Sequence, residues 1–62
     1  MNRIWLTTKK GNEVYIFIPH IAAVMEDGDG SKVYVSGKAT PFVVVAGLEK
    51  IIGRISDSER GI

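Results

Sequence analysis

Sixty-two residues, 45% hydrophobic and 24% charged with no cysteine, bound one small globular domain and exclude disulfide staples, thiolate metal sites and cysteine nucleophiles. A formal charge of +1 gives no global drive toward nucleic acid or an anionic membrane, although a local basic patch is compatible with it. No apolar run reaches the roughly 18 residues of a spanning helix, and no basic segment followed by an apolar stretch opens the chain, so the expectation is a cytoplasmic protein without membrane insertion.

RIWLTT at 3–8 and EVYIFI at 13–18 are rich in β-branched and aromatic residues and predict two strands around Lys9, Lys10, Gly11 and Asn12. If Gly11 takes the left-handed position closing a three-residue loop, Thr8 faces Asn12, and Leu6 pairs with Val14, Trp5 with Tyr15 and Ile4 with Ile16. A two-residue Lys-Gly loop instead shifts the pairing by one and scrambles the faces. In the first register Ile4, Leu6, Val14, Ile16 and Ile18 form an aliphatic core face. Arg3, Trp5, Thr7, Glu13, Tyr15 and Phe17 form the other, and three rings on a solvent face mark a contact surface.

Pro19 and the stretch PHIA predict a single turn, with Ile21 and Val24 both inward, followed by a third strand over roughly Ala22 to Glu26. KVYVS at 32–36 alternates, with Val33 and Val35 inward and Tyr34 outward. Gly37 and Lys38 open another reversal, and Pro41 marks the start or edge of a fifth strand, Phe42 to Val45. From Leu48 the period changes, and Leu48, Ile51, Ile52 and Ile55 make the stripe of a short amphipathic helix with Glu49, Lys50 and Arg54 away from it. The expected domain spans 1–56, with 57–62 a polar frayed tail.

DGDGS at 27–31 begins like a calcium loop, with acidic and hydroxyl side chains at alternate positions. The position that needs glycine holds Lys32, the bidentate position holds Lys38, and the flanks read as strands. An Asp-Gly step between alternating apolar runs is a hairpin signal, so the stretch is read as a turn. His20 beside Pro19 has no second imidazole, serine or carboxylate at a suggestive spacing and is read as a turn residue. The glycines match no phosphate-binding fingerprint. No catalytic residue, metal ligand or cofactor is assigned.

One constellation carries a mechanism. Single-stranded nucleic acid stacks on rings while cations track its phosphates, and Trp5, Tyr15 and Phe17 with Arg3, Lys9 and Lys10 supply both. The preferred account of the same residues is protein contact: a second subunit or the helix covers the rings, and the lysines belong to a solvated turn. A thin core and open strand edges both favour homo-oligomerisation.

The ordered pattern Leu6-Thr7, Gly11, Glu13, Ile16, Ile21, Val24, the Asp29 turn, Val33 and Val35 before Gly37, then FVVVAGLEKII at 42–52, resembles the FlbD (SwrD) family of small flagellar and swarming-motility proteins. The resemblance spans roughly residues 4–55; the Glu-Ser pair that usually precedes the family's helix is Ala46-Gly47 here. It implies a non-enzymatic accessory role in bacterial motility, and a divergent or mobile-element-encoded relative would keep the fold and change the partner. LTTKKG and TPFVVVAGLEKIIGRI also resemble the ends of CsrA, a small dimeric RNA-binding regulator, although the critical arginine before that family's helix aligns with Leu48. The rhythm Ile21, Val24, Glu26 is similar to the LytTR type of DNA-binding domain.

The expected fold is mainly β, a small twisted antiparallel sheet or barrel-like meander of four or five strands with one C-terminal helix. The expected function is a bacterial interaction module acting through protein contacts, as a homo-oligomer and with a further protein partner. The alternative is an RNA- or single-stranded-DNA-binding regulator.

Overall fold

The computed structural model describes residues 3–60, and side chains through residue 58. Strand β1 (Arg3–Thr7) pairs antiparallel with β2 (Glu13–Phe17) in the register Ile4 with Ile16, Trp5 with Tyr15 and Leu6 with Val14. Gly11 sets this register. Its φ of 94° is costly for any residue with a Cβ, and around it the Thr8 amide donates to the Asn12 carbonyl (2.7 Å) while the Gly11 amide donates to the Thr8 carbonyl (2.9 Å).

A 3-10 turn at Ile18–His20, with Pro19 in its first turn, leads into β3 (Ile21–Asp27), which pairs antiparallel with β4 (Gly30–Val35). The register slips between Ile21 and Ala23. This bulge explains a spacing that simple alternation forbids: an extra residue lets Ile21 and Val24, three positions apart, both pack against the core. Gly28 and Asp29 connect the two strands, and a positive φ at Gly28 (61°) but not at Asp29 corresponds to a type II′ turn.

Strand β5 (Phe42–Val44) pairs antiparallel with β4 and joins the two sheets. Thr8 bridges Val44, the Lys9 amide donates to the Val43 carbonyl (2.9 Å), and the Val45 amide donates to the Thr7 carbonyl (3.0 Å). Five strands in antiparallel sheets of two and three are thereby strung in the order β2, β1, β5, β4, β3. The mainly β class with one C-terminal helix is the expected one. Among the described residues, no helix is long and apolar enough to cross a membrane.

The core is aliphatic. Leu6, Val33, Val44 and Ile51 are at most 1% exposed, with Ile4 and Ile16 beside them. Two neighbouring residues of β4 bring β5 close. Gly30 is buried with no room for a side chain, because a Cβ there would overlap the Val44 carbonyl oxygen. Ser31 is fully buried and donates its hydroxyl to the Ala46 carbonyl at 2.8 Å, which satisfies a polar group where water is absent.

Helix α1 spans Leu48–Arg60 and differs from the expected helix in its length and in the face it buries. It runs on through 57–60, which the sequence reading assigned to a frayed tail; Gly61 and Ile62 lie outside the described residues. No glycine or proline interrupts 54–60, and Asp57 and Ser58 each have interactions of their own. Secondly, Ile52 is not a core residue but 53% exposed. The buried face is centred on Ile51, with Leu48, Arg54, Ile55 and Ser58 half-buried around it. At 3.6 residues per turn Ile52 lies about 100° round the axis from Ile51, on the side away from Arg54.

Gly30→Ala and Ser31→Ala are expected each to lower stability by about 1–3 kcal/mol. Gly53→Ala, on an exposed helix position with open space around it, is expected to raise stability by up to about 1 kcal/mol. Urea unfolding of the three variants checks both signs, and a Gly30→Ala protein as stable as the parent would contradict the close approach of β4 to β5.

Candidate interaction surface

The alternation of β1 and β2 sends Ile4, Leu6 and Ile16 into the core and turns the residues between them outward. Trp5 is 45% exposed, Tyr15 62% and Phe17 50%. Trp5 and Tyr15 are cross-strand partners, and Arg3 is opposite Phe17. The guanidinium of Arg3 lies 5.1 Å from the centre of the Tyr15 ring, a cation–π contact worth about 0.5–1 kcal/mol at an exposed site. These four residues form one surface, as the hairpin register predicts.

Lys9 and Lys10, grouped with them in the sequence reading, are elsewhere. They occupy the hairpin tip and line a groove of about 620 Å³ beside Asn12, Pro41 and Phe42. The Lys9 ammonium is turned across to the β3–β4 turn, where it meets the Asp29 carboxylate at 3.1 Å. Lys38 is drawn over the Phe42 ring at 4.8 Å from its centre and also donates to Thr40.

Two residues of the surface escaped sequence reasoning. Val45, 52% exposed, follows β5, and its hydrogen bond to Thr7 extends the outer face beyond β1. The signal was present: Val44 inward implies Val43 and Val45 outward. Arg54, expected on the solvent side of the helix, is half-buried and donates to the Trp5 carbonyl. It lies beside a groove of about 460 Å³ that also touches Arg3, Trp5 and Asp57. Nothing in the helix pattern distinguishes Arg54 from Lys50.

DGDGS turns a corner. Asp27 opens the type II′ turn opposite Gly30, and Asp29 holds a lysine. Among the described residues, no three His, Asp or Glu side chains converge as a metal site would require. His20 closes the 3-10 turn, and its carbonyl accepts from both the amide (2.7 Å) and the hydroxyl (3.2 Å) of Ser36. No family model, curated protein or solved structure matches this chain.

The Lys9 ammonium holds the Asp29 carboxyl below the usual carboxylate range, first through their hydrogen bond and then through its charge. A carboxyl with a folded value below its unfolded one favours the folded state when deprotonated, and this contribution disappears as pH falls through the lowered folded value. Asp29 is solvent-exposed, so water and salt screen the pair and its weight is small. An NMR titration of the side-chain carboxyl is expected to give a midpoint below that of an ordinary aspartate, moving back up in Lys9→Met. An unchanged midpoint would show that the pair does not form in solution.

Proposed function

We propose that this chain is a non-enzymatic interaction module, of the kind its FlbD-like pattern implies, acting in a bacterial cytoplasm by docking protein against the outer face of the β1–β2 hairpin. The observation that carries the reading is the exposure of Trp5, Tyr15, Phe17 and Val45 on one side of a small sheet whose opposite side is the core. Exposed apolar side chains gathered in this way mark a contact surface, and aromatic rings beside an arginine are the side chains most enriched at protein interfaces.

The nucleic-acid reading has less support. Binding a phosphate backbone requires cations arrayed along the stacked bases. Among the described residues, Arg3 and Arg54 are beside the rings, and Arg54 is committed to the Trp5 carbonyl. Lys10 is at the far end of the hairpin and Lys9 is paired with Asp29, so the cations and the rings do not share a path.

Trp5 is the sole tryptophan and reports on its own surface. Its emission is expected to shift to the blue when the outer face is covered, which a concentration series reads beside the sedimenting mass. A Tyr15→Ser, Phe17→Ser variant is expected to lose the shift and, without the Arg3–Tyr15 contact and the cross-strand ring pairs, to be less stable than the parent by about 1–2 kcal/mol. A monomer at every concentration, with an invariant emission, would remove self-docking from the proposal. Tight, steeply salt-dependent binding of random oligonucleotides, lost in Lys9→Glu, Lys10→Glu, would assign the face to nucleic acid instead.

A further inference from the structure

We propose that two copies of this chain pair edge to edge through β2, antiparallel about a two-fold axis at Tyr15; the pairing goes beyond the docking face, which it extends across both copies without covering.

The direction of the backbone groups is the first support. The Thr7 carbonyl and the Lys9 amide bond to β5, and the Trp5 carbonyl accepts from Arg54, so the odd-numbered residues of β1 direct their polar groups away from β2. The Thr8–Asn12 bond puts the even-numbered residues in the hydrogen-bonded pairs of the hairpin. In an antiparallel ladder these alternate with pairs that bond outward. Glu13, Tyr15 and Phe17, opposite Thr7, Trp5 and Arg3, therefore present their amides to the outer edge of β2, where no described strand pairs with them.

That edge is lightly guarded. Soluble proteins blunt exposed strands with proline, charged side chains or a bulge, and in Glu13–Phe17 β2 carries only the charge of Glu13 at its start. The strand is also complementary to itself. Of the symmetric antiparallel registers, only the one centred on Tyr15 pairs all five residues, setting Tyr15 against Tyr15 and Glu13 against Phe17 of the second copy.

In this register the two Tyr15 residues exchange both backbone hydrogen bonds. Each Phe17 amide meets the Glu13 carbonyl across the axis, while the Phe17 carbonyl begins the 3-10 turn. Charge follows the same symmetry. Arg3 lies beside Phe17 on the outer face, two strand spacings or about 10 Å from the Glu13 backbone of the other copy. Two long side chains can span that distance across the Phe17 ring once Arg3 turns from Tyr15, so the register sets opposite charges within reach at both ends of the interface. The outer faces merge into one row, Trp5, Tyr15, Tyr15, Trp5.

Amide hydrogen exchange on the unmodified protein tests the edge. The Tyr15 and Phe17 amides are expected to be protected at high protein concentration and to lose protection on dilution, while Val14 and Ile16, bonded within the hairpin, stay protected throughout. The chain has no cysteine, so a single Tyr15→Cys substitution gives a second reading. Backbones about 5.5 Å apart across such a pair lie within disulfide reach, and mild oxidation is expected to link Tyr15→Cys at least tenfold faster than Lys50→Cys on the exposed helix surface. Glu13→Arg is expected to weaken the dimer and Arg3→Glu, added to it, to restore it.

Self-association with an unprotected Tyr15 amide, and no faster linking at position 15, would overturn the edge pairing and leave the docking face standing. A protein that never self-associates would overturn the edge pairing. Loss of the docking face itself would require that the Tyr15→Ser, Phe17→Ser variant bind every partner as the parent does.

Discussion

The architecture depends on the short junction between β1 and β5. A two-stranded hairpin and a three-stranded sheet are each at or below the size that persists alone in water, and the bonds from Lys9 to Val43 and from Val45 to Thr7 turn them into one body. The junction needs the start of β4 to lie close against the Val44 carbonyl of β5. Gly30 permits this by carrying no side chain, and Ser31 secures it by tying the end of β5 to the sheet through the Ala46 carbonyl. The same junction claims the outward polar groups of β1, while the hairpin register set at Gly11 decides which backbone groups of β2 face solvent.

The helix contributes more than apolar cover. Its rotation places Arg54 against the Trp5 carbonyl, just where β1 runs past the end of β5 and would otherwise show an unpaired edge. The rotation turns Ile52 to solvent and brings Ile51 to the centre of the core. A guanidinium thus takes over from a strand as hydrogen-bond donor, and the groove at 460 Å³ marks where one gives way to the other.

Legibility in the sequence followed the range of the signal. The hairpin register could be read because one local feature, a glycine at 11, decides the whole set of pairs, and the exposure of Trp5, Tyr15 and Phe17 followed from it. The inward placement of both Ile21 and Val24 could be read from their character but not explained, since the bulge that allows it depends on pairing with Tyr34 and Val35. Ser31 and Arg54 were not legible as structural residues: each acts through a carbonyl distant in sequence, at Ala46 and Trp5. Lys9 was legible as a cation but not as one already engaged, because Asp29 reaches it only after the two turns meet. For Ile52 the helical period was right, yet four apolar residues spread over an arc do not reveal which side of that arc the sheet covers.

The bulge in β3 has a consequence for growth. A sheet with two regular, equivalent edges can recruit copy after copy and lengthen into a fibre. Here one terminal strand is straight over Glu13–Phe17, while the other is kinked between Ile21 and Ala23, so the two ends of the sheet offer a neighbour different backbone geometries. Under the proposed pairing at the straight end, the kink works against continuation at the other.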